Sequence, residues 1–141
     1  MIVLGFDTST PATAIGLRLA DGTTMQARDD PGEGEHPGHA TRLLPLAASL
    51  LAQAGLRFAD VDRIAVGVGP GTFTGLRIGA ASARGLAQSL DAQLIGVSSL
   101  QALAFAAANS RQAGGMGVVA VLALIDARRG EAFAAAYTPA Q

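Results

Sequence analysis

The chain has no cysteine, no lysine and few aromatic residues, 4% in all. Without cysteine there are no disulfides, thiolate nucleophiles or cysteine-ligated zinc sites. Without lysine, a phosphoryl-transfer centre would lack its usual ammonium contact to phosphate. All ten basic residues are arginines scattered along the chain, and the net charge is -1. Neutralising phosphates requires clustered positive charge, so direct nucleic-acid binding is disfavoured as the main activity. No apolar run approaches the roughly 20 residues needed to cross a bilayer, which argues against a membrane partner.

Half of the chain is hydrophobic and only 15% is charged. A length of 141 residues suits one domain that buries roughly two thirds of its unfolded surface. The surplus apolar surface has two outlets, an alanine-rich core or a patch covered by a protein partner. Met1 leads at once into a strand-like run rather than a basic-then-apolar leader, so the expected location is the cytoplasm.

Hydrophobic periodicity orders the chain as βββαβαβαββ. Ile2 to Phe6 is a continuous apolar run of the kind buried on both faces of a sheet. Ala14 to Leu19, the turn signal Asp21-Gly22 and Thr23 to Arg28 complete an antiparallel meander. Asp29 to Gly38 has almost nothing to bury and reads as a surface loop. A helix is expected over Ala40 to Ala54, with Leu43, Ala47 and Leu50 on one face, Pro45 near its start and Gly55 as its stop. Strands over Arg63 to Val68 and Gln93 to Val97 flank a helix over Phe73 to Leu90. Ser98 and Gln101 form a capping-box pattern for a third helix ending near Ala108. Val118 to Ile125 and Ala132 to Thr138 are the closing strands, and the whole order requires a mixed sheet carrying helices on its faces.

Residues Gly69 to Gly79 read GPGTFTGLRIG and join a strand to a helix. Its glycines and proline fix backbone shapes that side-chained residues resist, as a tight strand-to-helix turn needs, and the N–H groups of the helix start attract anions or partner acceptors. It is neither a Walker loop, since no Gly-Lys-Ser/Thr follows, nor a GxGxxG fingerprint. The string resembles the signature of the TsaB (YeaZ) family, usually GPGSFTGLRIG, with Thr72 in place of a serine. Gly69, Pro70, Gly71, Thr72, Phe73, Thr74, Gly75 and Arg77 carry that likeness. Three further segments agree in order: Asp7-Thr8-Ser9-Thr10, the run His39 to Pro45, and Ile125 to Glu131 with Asp126, Arg128, Gly130 and Glu131.

The resemblance implies a ribonuclease H-like lobe of the actin, Hsp70 and sugar-kinase ATPase group, with the whole chain 1–141 as one lobe and a second lobe absent. It implies that Asp7, Thr8 and Ser9 stand at a vestigial nucleotide site, with ATP or ADP expected only at a partner interface. A turn that satisfies its own backbone accounts for the same residues. No metal is expected: His36 and His39 have an HxxH spacing, but Pro37-Gly38 prevents a shared helical face and no third ligand is near. Ser98, Ser99 and Thr8 have no histidine nearby in sequence, so no nucleophile and base are paired, and no catalytic residue is assigned.

At 100° per residue, Gly75, Gly79, Ser82, Leu86 and Leu90 share the expected sheet face of the second helix. Phe73, Leu76, Ala80, Ala83 and Ala87 form an apolar flank. Either the chain's own helix Ala40 to Ala54 or a helix of another subunit can cover that flank, and the resemblance implies the second, with Leu43, Ala47 and Leu50 in the partner interface. The resemblance implies TsaD and TsaE as partners, tRNA reached only through TsaD, and a homodimer when TsaD is absent. The function implied is that of a non-catalytic subunit supporting TsaD in threonylcarbamoylation of the tRNA adenosine beside the anticodon. Two alternatives stand, a small-molecule kinase or ATPase fragment of the same fold and a direct tRNA-binding module.

Overall fold

The structure is a computed structural model that describes residues 1–113 and 120–138. Three strands open the chain, β1 (Val3–Asp7), β2 (Thr13–Arg18) and β3 (Thr24–Asp29). There follow α1 (His39–Gln53), a 3₁₀ turn over Phe58–Asp60, β4 (Arg63–Gly67), α2 (Phe73–Leu90), β5 (Gln93–Val97) and α3 (Ser99–Ala113). The hairpin β6 (Val121–Arg128) and β7 (Glu131–Tyr137) ends the described chain. The element order is the expected one. Residues 118 and 119 of the expected sixth strand lie outside the described residues, and β6 continues through Asp126 to Arg128.

Five strands form one mixed sheet in the order β3-β2-β1-β4-β5. The meander pairs antiparallel, while β1–β4 and β4–β5 pair parallel across helical crossovers. The mixed sheet carrying helices is the expected one, and β6 and β7 form a separate two-stranded sheet. α1 packs on β2 and β3 and α2 on β4, covering one face of the large sheet, while α3 packs on the hairpin. The opposite face of the large sheet is thus only lightly covered, so β1 alternates instead of being buried throughout. Leu4 and Phe6 are in the core, and Val3 and Gly5 are half-buried.

Leu43, Ala47, Leu50 and Leu51 recur at helical spacing along α1 and interlock with Leu4, Leu17 and Ile64 of the sheet. Pro45 lies exposed inside α1, and the helix continues through it to Gln53. Gly55, at φ +69°, ends α1 in a Schellman arrangement: its N–H donates to the Ala52 carbonyl, and the Leu56 N–H donates to the Leu51 carbonyl. On α2 the inward stripe is Gly75, Gly79, Ala83 and Ala87, all small, so the helix lies close on the sheet. Ser82, Leu86 and Leu90 fall at the edge of that contact and are half-buried.

Five expected interface residues therefore belong to the chain's own core. Leu43, Ala47, Leu50, Ala83 and Ala87 are buried between helix and sheet, because the stripe that faces the sheet follows the i, i+4 row of small residues. Leu76 is half-buried, and only Phe73 and Ala80 of the expected set are exposed. Among the described residues, no helix is long and apolar enough to cross a membrane.

Candidate functional site

The turn after β1 and the glycine-rich loop before α2 interlock. The Thr72 N–H donates to the Ser9 carbonyl at 2.7 Å, and the Thr8 hydroxyl donates to the Gly75 carbonyl at 2.7 Å. A β-carbon at Gly75 would overlap the Thr8 carbonyl, and one at Gly71 would overlap the Ser9 carbonyl. Gly71 and Gly75 are thus required by close backbone approach to the turn after β1, and no ligand is needed to explain them. Thr72 caps α2, accepting the Gly75 N–H at 3.3 Å, and Gly69 takes φ +89° beside a cis Gly69–Pro70 peptide.

Asp7 is half-buried, and both of its carboxylate oxygens are engaged. Oδ1 accepts the Ser9 N–H at 2.6 Å, as in an Asx turn, and Oδ2 accepts the Ser99 hydroxyl at 2.5 Å. The Ser99 N–H donates to the Gly69 carbonyl at 2.9 Å, so the start of α3 is tied to both β1 and the glycine loop. The Ser99 contact spans 92 positions and has no local sequence signal. Thr8 and Ser9 are buried, and the Ser9 hydroxyl has no partner among the described residues. Asp7, Thr8 and the Ser9 backbone are thus engaged in bonds to their own fold.

His39 opens α1 from a buried position, with Nδ1 2.8 Å from the Thr13 hydroxyl and Nε2 without a hydrogen-bond partner among the described residues. Burial pushes its pKa below the usual histidine value, outweighing the opposing pull of the Thr10 carbonyl and of Asp7 and Asp29. His36 is exposed on the preceding loop. No group of three or more His, Asp or Glu side chains gathers among the described residues.

A cleft of about 550 Å³ separates the start of α2 from the hairpin tip. His36, His39 and Gly71 to Gly75 border it on one side, and Asp126, Arg128 and Phe133 on the other. Asp126 Oδ1 accepts the Arg128 N–H at 2.7 Å, while Arg128, Arg129 and Gly130 all take positive φ to turn the hairpin into Glu131. Beside the cleft, Phe73 projects from the first turn of α2 with 73% of its surface exposed, and the Arg77 guanidinium stacks 5.3 Å above its ring.

The mixed sheet, its helix-covered face and the turn after β1 define an α/β lobe of the ribonuclease H-like, actin-like ATPase kind. Residues 33–141 match the family described as "TsaD: tRNA N6-adenosine threonylcarbamoyltransferase", and the chain belongs to this TsaD/TsaB (YeaZ) family. It is 39% identical over 137 residues to the tRNA threonylcarbamoyladenosine biosynthesis protein TsaB of Escherichia coli, covering 97% of this chain and 55% of that protein. The protein of the same description in Bacillus subtilis is 34% identical, with 97% of this chain and 55% of the relative covered. The solved structure of YeaZ from Pseudomonas aeruginosa superposes with a TM-score of 0.81 at 36% identity, over 99% of this chain and 61% of that one. The chain thus spans little more than half the length of these relatives.

Proposed function

We propose that this chain is a non-catalytic supporting subunit in formation of threonylcarbamoyladenosine in tRNA, docking on a TsaD-type protein through the outward faces of α1 and α2. Similarity across 97% of the chain to relatives named for that biosynthesis carries the choice of pathway. The exposed Phe73, stacked with Arg77, and the exposed Leu44 and Ala80 elsewhere on α1 and α2 support docking over chemistry. The engagement of both Asp7 oxygens by Ser9 and Ser99 also favours a structural carboxylate. In this reading a TsaE-type ATPase joins the complex, tRNA is held through the TsaD-type partner, and any ATP or ADP binds at a partner interface. Binding of the chain favours the active arrangement of its partner by population shift.

Reconstitution with TsaD- and TsaE-type proteins of the same organism is the test. Adding the chain should raise modification of a tRNA substrate, while the chain alone should neither modify tRNA nor hydrolyse ATP appreciably. Phe73→Asp should remove both the pull-down and the stimulation. Asp7→Ala, if it folds and still binds, should keep the stimulation; loss of activity in that variant would replace the scaffold with a catalytic carboxylate. ATP turnover by the isolated chain would favour a kinase-like fragment, and salt-sensitive tRNA binding without partners would favour a direct RNA-binding module.

A further inference from the structure

Charge is unevenly placed along this chain. Its eleven acidic residues all lie outside α1 and α2, and these two helices carry three arginines, Arg42, Arg77 and Arg84. Arg42 is answered within the chain, 3.6 Å from Asp29. Arg77 and Arg84 are exposed, and among the described residues neither forms an ion pair. They are seven residues apart, so they stand on one stripe of α2 about two turns, or roughly 10 Å, from each other. The positions three and four residues from each hold no acid, so the helix itself supplies no answering charge. Ala80, Ala81 and Gly85 lie exposed between and beside them, so a second helix can approach the backbone closely.

We propose that Arg77 and Arg84 select the docked surface by charge: the stripe takes a partner helix carrying carboxylates about two turns apart, and it disfavours a second copy of this chain. The inference rests on the docking reading above and adds to it the chemistry of the partner. Against an acidic helix both guanidiniums gain opposite charges, whereas against its own copy across a two-fold axis basic meets basic. Specificity of this kind needs the repulsive element as much as the attractive one. The Arg77 guanidinium is held by its stack on Phe73, 5.3 Å from the ring, so less freedom is lost when a carboxylate engages it. An RNA backbone is also anionic, but two arginines separated by alanine and glycine offer few contacts to successive phosphates, and the closely approachable face suits a helix better.

The sign of the salt dependence tells the two contacts apart. Association with the TsaD-type protein of the same organism should slow as salt rises from about 50 to about 300 mM, while self-association, followed by sedimentation, should strengthen over the same range. The double variant Arg77→Glu, Arg84→Glu alters only exposed positions and should keep the circular dichroism of the parent. It should bind the partner about tenfold more slowly, or worse, at the lower salt. Mixed with the parent, it should form heterodimers in preference to either homodimer. The milder pair Arg77→Gln, Arg84→Gln should flatten both salt dependences. Partner binding at the parent's rate by the charge-reversed variant would overturn the inference and leave docking in place. Failure of the parent to bind that protein would overturn both. Binding of tRNA by the chain alone, abolished by the reversal, would assign the stripe to RNA instead of a helix.

Discussion

At the scale of single residues, the turn Asp7-Thr8-Ser9 and the glycine loop form one object, held by Thr8 to Gly75, Thr72 to Ser9 and Asp7 to Ser99. Gly75→Ala should destabilise the fold by about 1–3 kcal/mol or more, since the added methyl must displace the backbone of Thr8 in the turn after β1; a denaturant midpoint measures the loss. The glycine string announces a tight strand-to-helix turn, but what the glycines approach is not legible in it, because Thr8 and Gly75 meet only when β1 and β4 pair. His39 carries a pH prediction. Its folded pKa lies below the ordinary 6.5, so above that value the ring is neutral in both states and its contribution to stability is complete. As pH falls through that value the unfolded chain takes up a proton that the buried ring resists, so stability should decline. Thermal midpoints followed from about pH 8 to about pH 5 should show that decline, and His39→Gln should flatten part of it.

At the scale of elements, α2 shows a helical wheel that is correct about its period and about Gly75 and Gly79 on the sheet face, but that puts Ser82, Leu86 and Leu90 there in place of Ala83 and Ala87. Phe73–Leu90 is found where the periodicity puts it, yet the stripe facing the sheet is Gly75, Gly79, Ala83 and Ala87. Small residues can lie at either a close core contact or a surface, and their size alone does not decide between them. Ala83 is fully buried, so Ala83→Arg should unfold the chain, costing several kcal/mol by burying an unpaired charge. Phe73→Asp, on the exposed first turn, should leave the far-ultraviolet circular dichroism and thermal midpoint nearly unchanged. Reversal of that pair of outcomes would contradict the burial of the α2 stripe.

At the scale of the whole molecule, apolar surface remains uncovered. Phe73 and Leu44 project from the α1 and α2 side, and Leu122 and Leu124 lie on the face of the hairpin turned away from α3. In isolation the chain should form a two-fold dimer through the outward face of α1 and α2, because an isologous contact lets one patch cover its copy. Sedimentation should then show a dimer at high micromolar concentration and a monomer for Phe73→Asp. A monomeric parent at that concentration would contradict this expectation.

The sequence by itself determined the order and type of the elements, the bounds of α2 and β5, and the family, because periodicity, turn glycines and ordered motifs are local properties of the chain. Only the tertiary structure decided that β6 and β7 stand apart from the large sheet, that β1 is covered on one side, that Leu43, Ala47, Leu50, Ala83 and Ala87 are core, and that Asp7 bonds to Ser99. The physical reason is distance along the chain. Which face of an amphipathic element is inward, and which polar group answers a buried carboxylate, depends on contacts between residues tens of positions apart, and these exist only once the sheet has been assembled.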